Sequence, residues 1–193
     1  MVPYVIEDSK NGEKVYDLYS RLLKDRIIFV KDDFDDHMAN SIVAQMLFLE
    51  SIDSEKDIYM YINSPGGNVT SMLAIYDVMS YIKPDVVTVG MVQCCSAGSF
   101  ILAAGTKGKR FALPNTRIML HEVSGGTGGK INDMKVAYEE ITRLYDMMST
   151  HYSIFTGKSQ ETIKKDLERD FFMSSTEAKD YGIIDEVIHK RPK

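Results

Sequence analysis

Cysteine is scarce in this chain, and what there is comes as neighbours, Cys94 and Cys95. Adjacent thiols are poorly placed to staple distant segments, which excludes a disulfide framework and leads us to expect a reducing, cytoplasmic compartment. Histidine is equally sparse. His37, His121, His151 and His189 are scattered without zinc-like ligand spacing, so no bound metal is expected. Positive charge is in deficit, with 23 Lys and Arg against 28 Asp and Glu for a net charge of −5. No basic block precedes the short tail at residues 189–193, which argues against a general nucleic-acid binder. The first eight residues lack the basic-then-apolar layout of a secretory signal. Internal repeats, low-complexity linkers and nucleotide-binding glycine loops are missing as well.

What is present is the balance of a globular protein, 44% hydrophobic and 26% charged over 193 residues. A chain of that length is expected to form one domain and to bury roughly 70% of the surface its unfolded form exposes. Residues 86–106 carry no charge over 21 positions, long enough for a membrane span. Their two halves differ, however. Val86, Val87, Val89 and Val92 give way to Phe100-Ile101-Leu102-Ala103-Ala104, which fits a buried strand running into a buried helix better than one span.

Strand and helix alternate along the chain. The apolar run at 26–30 reads as a strand, and Met38, Ile42, Met46 and Leu49 mark an amphipathic helix after it. Residues 58–62 form the next strand, closed by Asn63-Ser64-Pro65-Gly66-Gly67, and Met72, Ile75, Met79 and Ile82 mark a helix that Pro84 stops. Residues 86–92 and 96–104 make the third pair, with Gly105 placed to cap the helix. Short strands at 110–113 and 117–120 flank the turn Pro114-Asn115. After the glycine-rich stretch 125–129 comes the longest helix, striped by Met134, Tyr138, Ile141, Tyr145, Met148 and Tyr152; shorter helices follow at 160–169 and 175–181. That stripe suits either core or a subunit interface. The alternation predicts an α/β fold with a mostly parallel sheet.

Reactive groups in such sheets collect where strands end and helices begin. Ser96 falls at such a junction, followed by the small residues Ala97 and Gly98, and a helix N-terminus there favours a developing oxyanion. Cys94-Cys95-Ser96-Ala97-Gly98 lacks the leading glycine of a G-x-S-x-G elbow, and alone Ser96 reads as a cap or packing residue. Gly66-Gly67 alone reads as a turn, and His121 at a strand end or Asp170 beside Phe171-Phe172-Met173 as structural. Together they change meaning. A serine hydroxyl needs an imidazole to take its proton, the imidazole needs a carboxylate to fix its tautomer, and two backbone N–H donors must hold the oxyanion. One such donor is worth about 3 kcal/mol. Gly67 and Ala97 are placed to supply them.

These residues lie within a chain that resembles, nearly end to end, the proteolytic subunit of the ATP-dependent Clp protease. The resemblance is carried by Tyr16-Asp17-Leu18-Tyr19-Ser20-Arg21-Leu22-Leu23, by Asp57-Ile58-Tyr59-Met60-Tyr61-Ile62-Asn63-Ser64-Pro65-Gly66-Gly67, by Lys107-Gly108-Lys109-Arg110-Phe111-Ala112-Leu113-Pro114-Asn115 and by Glu168-Arg169-Asp170-Phe171-Phe172-Met173. It implies a crotonase/ClpP-like α/β fold of repeated strand–helix units with a protruding handle, a strand plus the long helix, at about 122–155. Ser96 would be the nucleophile of a serine endopeptidase, His121 its general base and Asp170 the orienting acid. Residues 1–18 would line an axial pore. Tyr59, Tyr61, Val89, Met91, Phe111 and Leu113 would dock an AAA+ unfoldase of the ClpX, ClpA or ClpC type, which spends the ATP; no cofactor is expected on this chain. Glu168 and Arg169 would serve assembly into two stacked seven-membered rings. The chain departs from the pattern at Cys94-Cys95, where alanines are usual, at Ala97, where methionine is common, and at Glu122, Lys130 and the glycines of 125–129. Two rival readings follow from those departures and from the fold: a divergent paralogue with a scaffold role, active only in mixed assemblies, and an acyl-CoA hydratase or isomerase on the same scaffold.

Overall fold

The computed structural model describes residues 2–9 and 12–190. Arg191, Pro192 and Lys193 of the basic tail, and Met1, Lys10 and Asn11 of the proposed pore segment, lie outside them. The chain opens with a hairpin of β1 (Tyr4–Ser9) and β2 (Gly12–Asp17), paired antiparallel from Tyr4 opposite Asp17 to Ser9 opposite Gly12. Tyr4, Ile6 and Val15 on it are exposed. Asp17 then caps α1 (Leu18–Lys24) by accepting from the Ser20 amide at 3.0 Å.

Strand–helix units follow. β3 (Ile27–Phe34) leads to α2 (Asp36–Ile52), β4 (Ile58–Gly67) to α3 (Val69–Tyr81), and β5 (Val86–Cys95) to α4 (Ala97–Ala103). Each of α2 and α3 begins on a side-chain cap, Asp35 accepting from the Met38 amide and Asn68 from those of Thr70 and Ser71. β6 (Arg110–Ala112), β7 (Arg117–Leu120), α5 (Ile131–Thr156), α6 (Gln160–Leu167), β8 (Phe171–Ser174), α7 (Ser175–Tyr181) and β9 (Glu186–Val187) complete the chain. The sheet runs β3-β4-β5-β6-β9, all parallel, while β7 joins the far end of β5 in parallel and β8 antiparallel. The mixed α/β architecture with a parallel-dominated sheet is the one expected.

Alternation sets the core. Ile58, Met60 and Ile62 of β4 are buried with Ala39, Ile42, Met46 and Leu49 of α2 and Met72, Ile75 and Met79 of α3. α4 is buried on every side. The uncharged stretch 86–106 therefore divides between a strand and a packed helix, and among the described residues no helix is long and apolar enough to cross a membrane. Arg110 closes the C-terminal end of the fold. Its buried guanidinium pairs with Asp185 at 2.6 Å and donates to the carbonyls of Ala103 and Phe155, tying α4, α5 and the last segment together.

Several expectations are corrected. β4 does not turn at residue 63 but runs through Pro65-Gly66-Gly67, because a Cβ on Gly67 would lie 2.4 Å from the Phe34 nitrogen and only glycine lets β3 pass there. β5 reaches Cys95 by absorbing a bulge: Ile62 faces Gly90, but Ser64 faces Cys94. Val92 sits in that bulge at φ 56° with its side chain exposed. Gly105 does not cap α4. Ala104 does, in right-handed conformation, and Gly105 is small because a Cβ there would meet the Thr88 hydroxyl at 2.4 Å. The handle's helix forms as α5, but the strand expected beside it does not, since among the described residues no strand lies alongside 121–128 to pair with them. The stripe on α5 divides: Met148 and Tyr152 are buried, Ile141 and Tyr145 half-buried, Met134 and Tyr138 exposed.

Candidate active site

Ser96 stands between β5 and α4 at φ 53° and ψ −118°, a region that non-glycine residues occupy only under constraint. The constraint comes from both neighbours. Its amide donates to the Met119 carbonyl at 2.8 Å, extending the β5–β7 pairing. Gly66 of β4 lies directly against it, such that a Cβ on Gly66 would fall 2.6 Å from the Ser96 Cβ. A sharp strand-to-helix turn is therefore built here without the leading glycine of the elbow pattern. Gly98 repeats the logic one step on, where a side chain would press the Ser64 carbonyl at 3.1 Å.

Pairing then delivers the histidine. Because Cys95 lies opposite Met119, the residue after β7 emerges beside the residue after β5, and His121 Nε2 stands 2.9 Å from Ser96 Oγ. β8 delivers the carboxylate by the same means. Its antiparallel register sets Phe171 opposite Leu120, so Asp170 falls opposite His121. Asp170 Oδ1 is 3.8 Å from His121 Nδ1, within ion-pair reach but beyond hydrogen-bond length. The serine and histidine are engaged; the aspartate is adjacent and its side chain is 60% exposed.

Gly67, Ala97, Ser96 and His121 share one small cleft, of about 50 Å³, floored by Met72, Met148 and Tyr152. Ala97 is the first residue of α4, where amides have no partner within the helix. Both amides singled out for an oxyanion are thus beside the serine and histidine. The thiols next door are both free and buried. Burial pushes the Cys94 thiol far up, where it donates weakly to the Ile62 carbonyl at 3.4 Å, and burial raises Cys95 too. Nucleophilic attack needs the thiolate, so both act as packing.

A family model described as Clp protease matches residues 10–191. The chain belongs to the Clp protease family. As a Clp protease it is a peptidase.

Other residues singled out from the sequence also have definite places in this Clp protease. Tyr61 of β4, Val89 of β5 and Phe111 of β6 lie in one register row across the sheet, extended on the near side by Phe29, whose ring stacks on Tyr61 at 5.7 Å. Tyr59 and Met91 share the row's face by strand alternation, and Leu113 follows just past β6. Glu168 and Arg169 are exposed between α6 and Asp170, and neither has an ion-pair partner among the described residues. Two residues with direct bearing on Ser96 carry no signal in the sequence. Ser99 is one apolar-flanked serine among many, and Tyr152 belongs to a stripe that reads equally as packing; no local motif distinguishes them.

Proposed function

We propose that this Clp protease is a serine endopeptidase that cuts unfolded polypeptides through an acyl-enzyme. The contact of 2.9 Å between Ser96 Oγ and His121 Nε2, at a strained strand–helix turn, carries the reading. Ser96 Oγ attacks the scissile carbonyl carbon while His121 Nε2 takes its proton. The oxygen that becomes negative receives the amides of Gly67 and Ala97. His121 returns the proton to the departing amine as the C–N bond breaks, then draws a proton from the water that attacks the acyl carbon and passes it to Ser96 Oγ as the acyl–oxygen bond breaks and the carboxylic acid product leaves. Asp170 steadies the imidazolium in both halves. The route uses only this chain's groups and water, so neither metal nor cofactor enters.

The remaining roles belong to the same proposal. The chain acts as one protease domain in the cytoplasm, as a homo-oligomer of two stacked heptameric rings with the sites inside. Residues 1–18 line the entrance, and the 122–155 handle, with Glu168 and Arg169, serves assembly. The row built on Tyr59, Tyr61, Val89, Met91, Phe111 and Leu113 docks an AAA+ unfoldase that spends ATP and feeds in unfolded polypeptide.

A second reading is favoured by one observation. The 3.8 Å gap at Asp170 leaves the third member of the set unbonded in the single chain, as in a scaffold subunit whose site is completed only by a paralogue. Labelling with a fluorophosphonate and mapping the adduct separates the two. The endopeptidase reading expects an adduct on Ser96 in the homo-oligomer and loss of peptide cleavage by about 10⁴-fold or more in Ser96→Ala. No adduct without added paralogue supports the scaffold; undiminished cleavage by Ser96→Ala defeats both.

A further inference from the structure

The Ser96 carbonyl is unusually well supplied with donors. It accepts the first α4 hydrogen bond from the Phe100 amide at 3.1 Å and a second from Ser99 Oγ at 2.7 Å. Ser99 Oγ in turn is 2.9 Å from Tyr152 Oη, which also reaches the same carbonyl at 3.5 Å. Ser99 has one hydroxyl proton. If it goes to the Ser96 carbonyl, Tyr152 must donate to Ser99; if it goes to Tyr152, that phenol must donate to the carbonyl. Either arrangement ends with a hydroxyl donating a hydrogen bond to the Ser96 carbonyl, and the Tyr152 phenol keeps its proton at any working pH because complete burial pushes its pKa far up. Both side chains are buried among apolar neighbours, where such a chain of donors reinforces itself.

That carbonyl is half of a peptide unit whose other half is the Ala97 N–H. The unit is planar and trans, so its C=O and N–H point in opposite directions. Donors that grip the oxygen from the core side fix the N–H toward the cleft that Ala97, Ser96 and His121 line. Withdrawing electron density through the carbonyl also makes that N–H a stronger donor. We propose that Tyr152 and Ser99 are positioning residues that hold and polarise the Ser96–Ala97 peptide, so that its N–H is ready for the oxyanion. This rests on the proposed role of Ala97 as an oxyanion donor. It also means that α5 does more than pack: it reaches across 53 residues of sequence to brace the nucleophile's own backbone.

The test compares Tyr152→Phe and Ser99→Ala with the unaltered oligomer on a short fluorogenic peptide, with rates normalised to sites titrated by fluorophosphonate. A brace of the oxyanion donor acts in the transition state, so kcat is expected to fall about tenfold in each variant with KM unchanged, and the affinity of a peptide boronate to fall in parallel. Both hydroxyls act on one carbonyl, so the double variant is expected to lose little more than either single one. A purely structural role instead lowers thermal stability while leaving kcat per titrated site and boronate affinity within about twofold of the parent, and that result overturns the inference. So does a Tyr152→Phe chain that fails to assemble while Ser99→Ala retains the parental kcat. Absence of cleavage in the unaltered oligomer would be the failure of the endopeptidase reading, visible before any variant is made.

Discussion

Two close approaches, one at Ser96 and one on the strand that leads to its neighbour Gly66, are possible only because glycine makes them. Gly66, at φ 114°, leaves no room for a side chain beside the Ser96 Cβ, and Gly67, at φ 146°, leaves none beside Phe34. Gly66→Ala should destabilise the chain by about 2 kcal/mol through crowding and strain, and displace Ser96 Oγ from His121. Peptide cleavage per folded molecule should then drop at least tenfold. Gly108→Ala is the control, because Gly108 shares a positive φ but meets nothing within 4 Å; it should lose stability while keeping its cleavage rate. Denaturant titration beside initial-rate measurements checks both. Residue types at this site were legible in the sequence, but their meaning was not. Ser96, His121 and Asp170 each had a plain structural explanation, and only their company, together with the family resemblance, pointed to one proton path. The bond from Ser99 to the Ser96 carbonyl had no signature, since helical serines make such bonds to nearby carbonyls in many settings.

Elements were easier to read where burial is periodic and harder where pairing decides. α2, α3 and the parallel strands β3 to β5 follow directly from apolar spacing. β8 is four residues long and forms because β7 offers an edge, which no local pattern announces. The β5 bulge and the strand conformation of Pro65-Gly66-Gly67 are likewise set by neighbouring strands, and the hairpin at the start has little apolar periodicity to betray it. α5 also places a histidine in an aromatic cluster. The His151 ring stacks on Phe155 and meets Tyr76 and Phe100 edge-on, with the Tyr76 hydroxyl 3.3 Å from its Nδ1. Burial holds its pKa below the ordinary 6.5, against the opposing pull of Asp77. Between the lowered value and 6.5 the unfolded chain therefore binds more protons than the native one, so stability declines as pH falls through that window. A plot of Tm against pH from 8 to 5 should show this decline, and His151→Phe should flatten it.

For the whole molecule, the decisive feature is an imbalance of cover. The last turns of α5 are seated in the core by Met148 and Tyr152, whereas Ile131, Met134, Val136 and Tyr138 stand 44–74% exposed on its first half. In the proposed double ring a second subunit supplies the cover. Met134→Glu with Tyr138→Glu should split the assembly, seen as a smaller particle in sedimentation, while circular dichroism of the dissociated chain retains its helix signal. The parent should also melt at a temperature that rises with protein concentration, a dependence the double variant loses. Each tenfold reduction in concentration disfavours every association step by about 1.4 kcal/mol. For a chain with this much bare helix, dilution works toward taking the assembly apart, and the amount of the protein in its compartment becomes one of the determinants of whether it works at all.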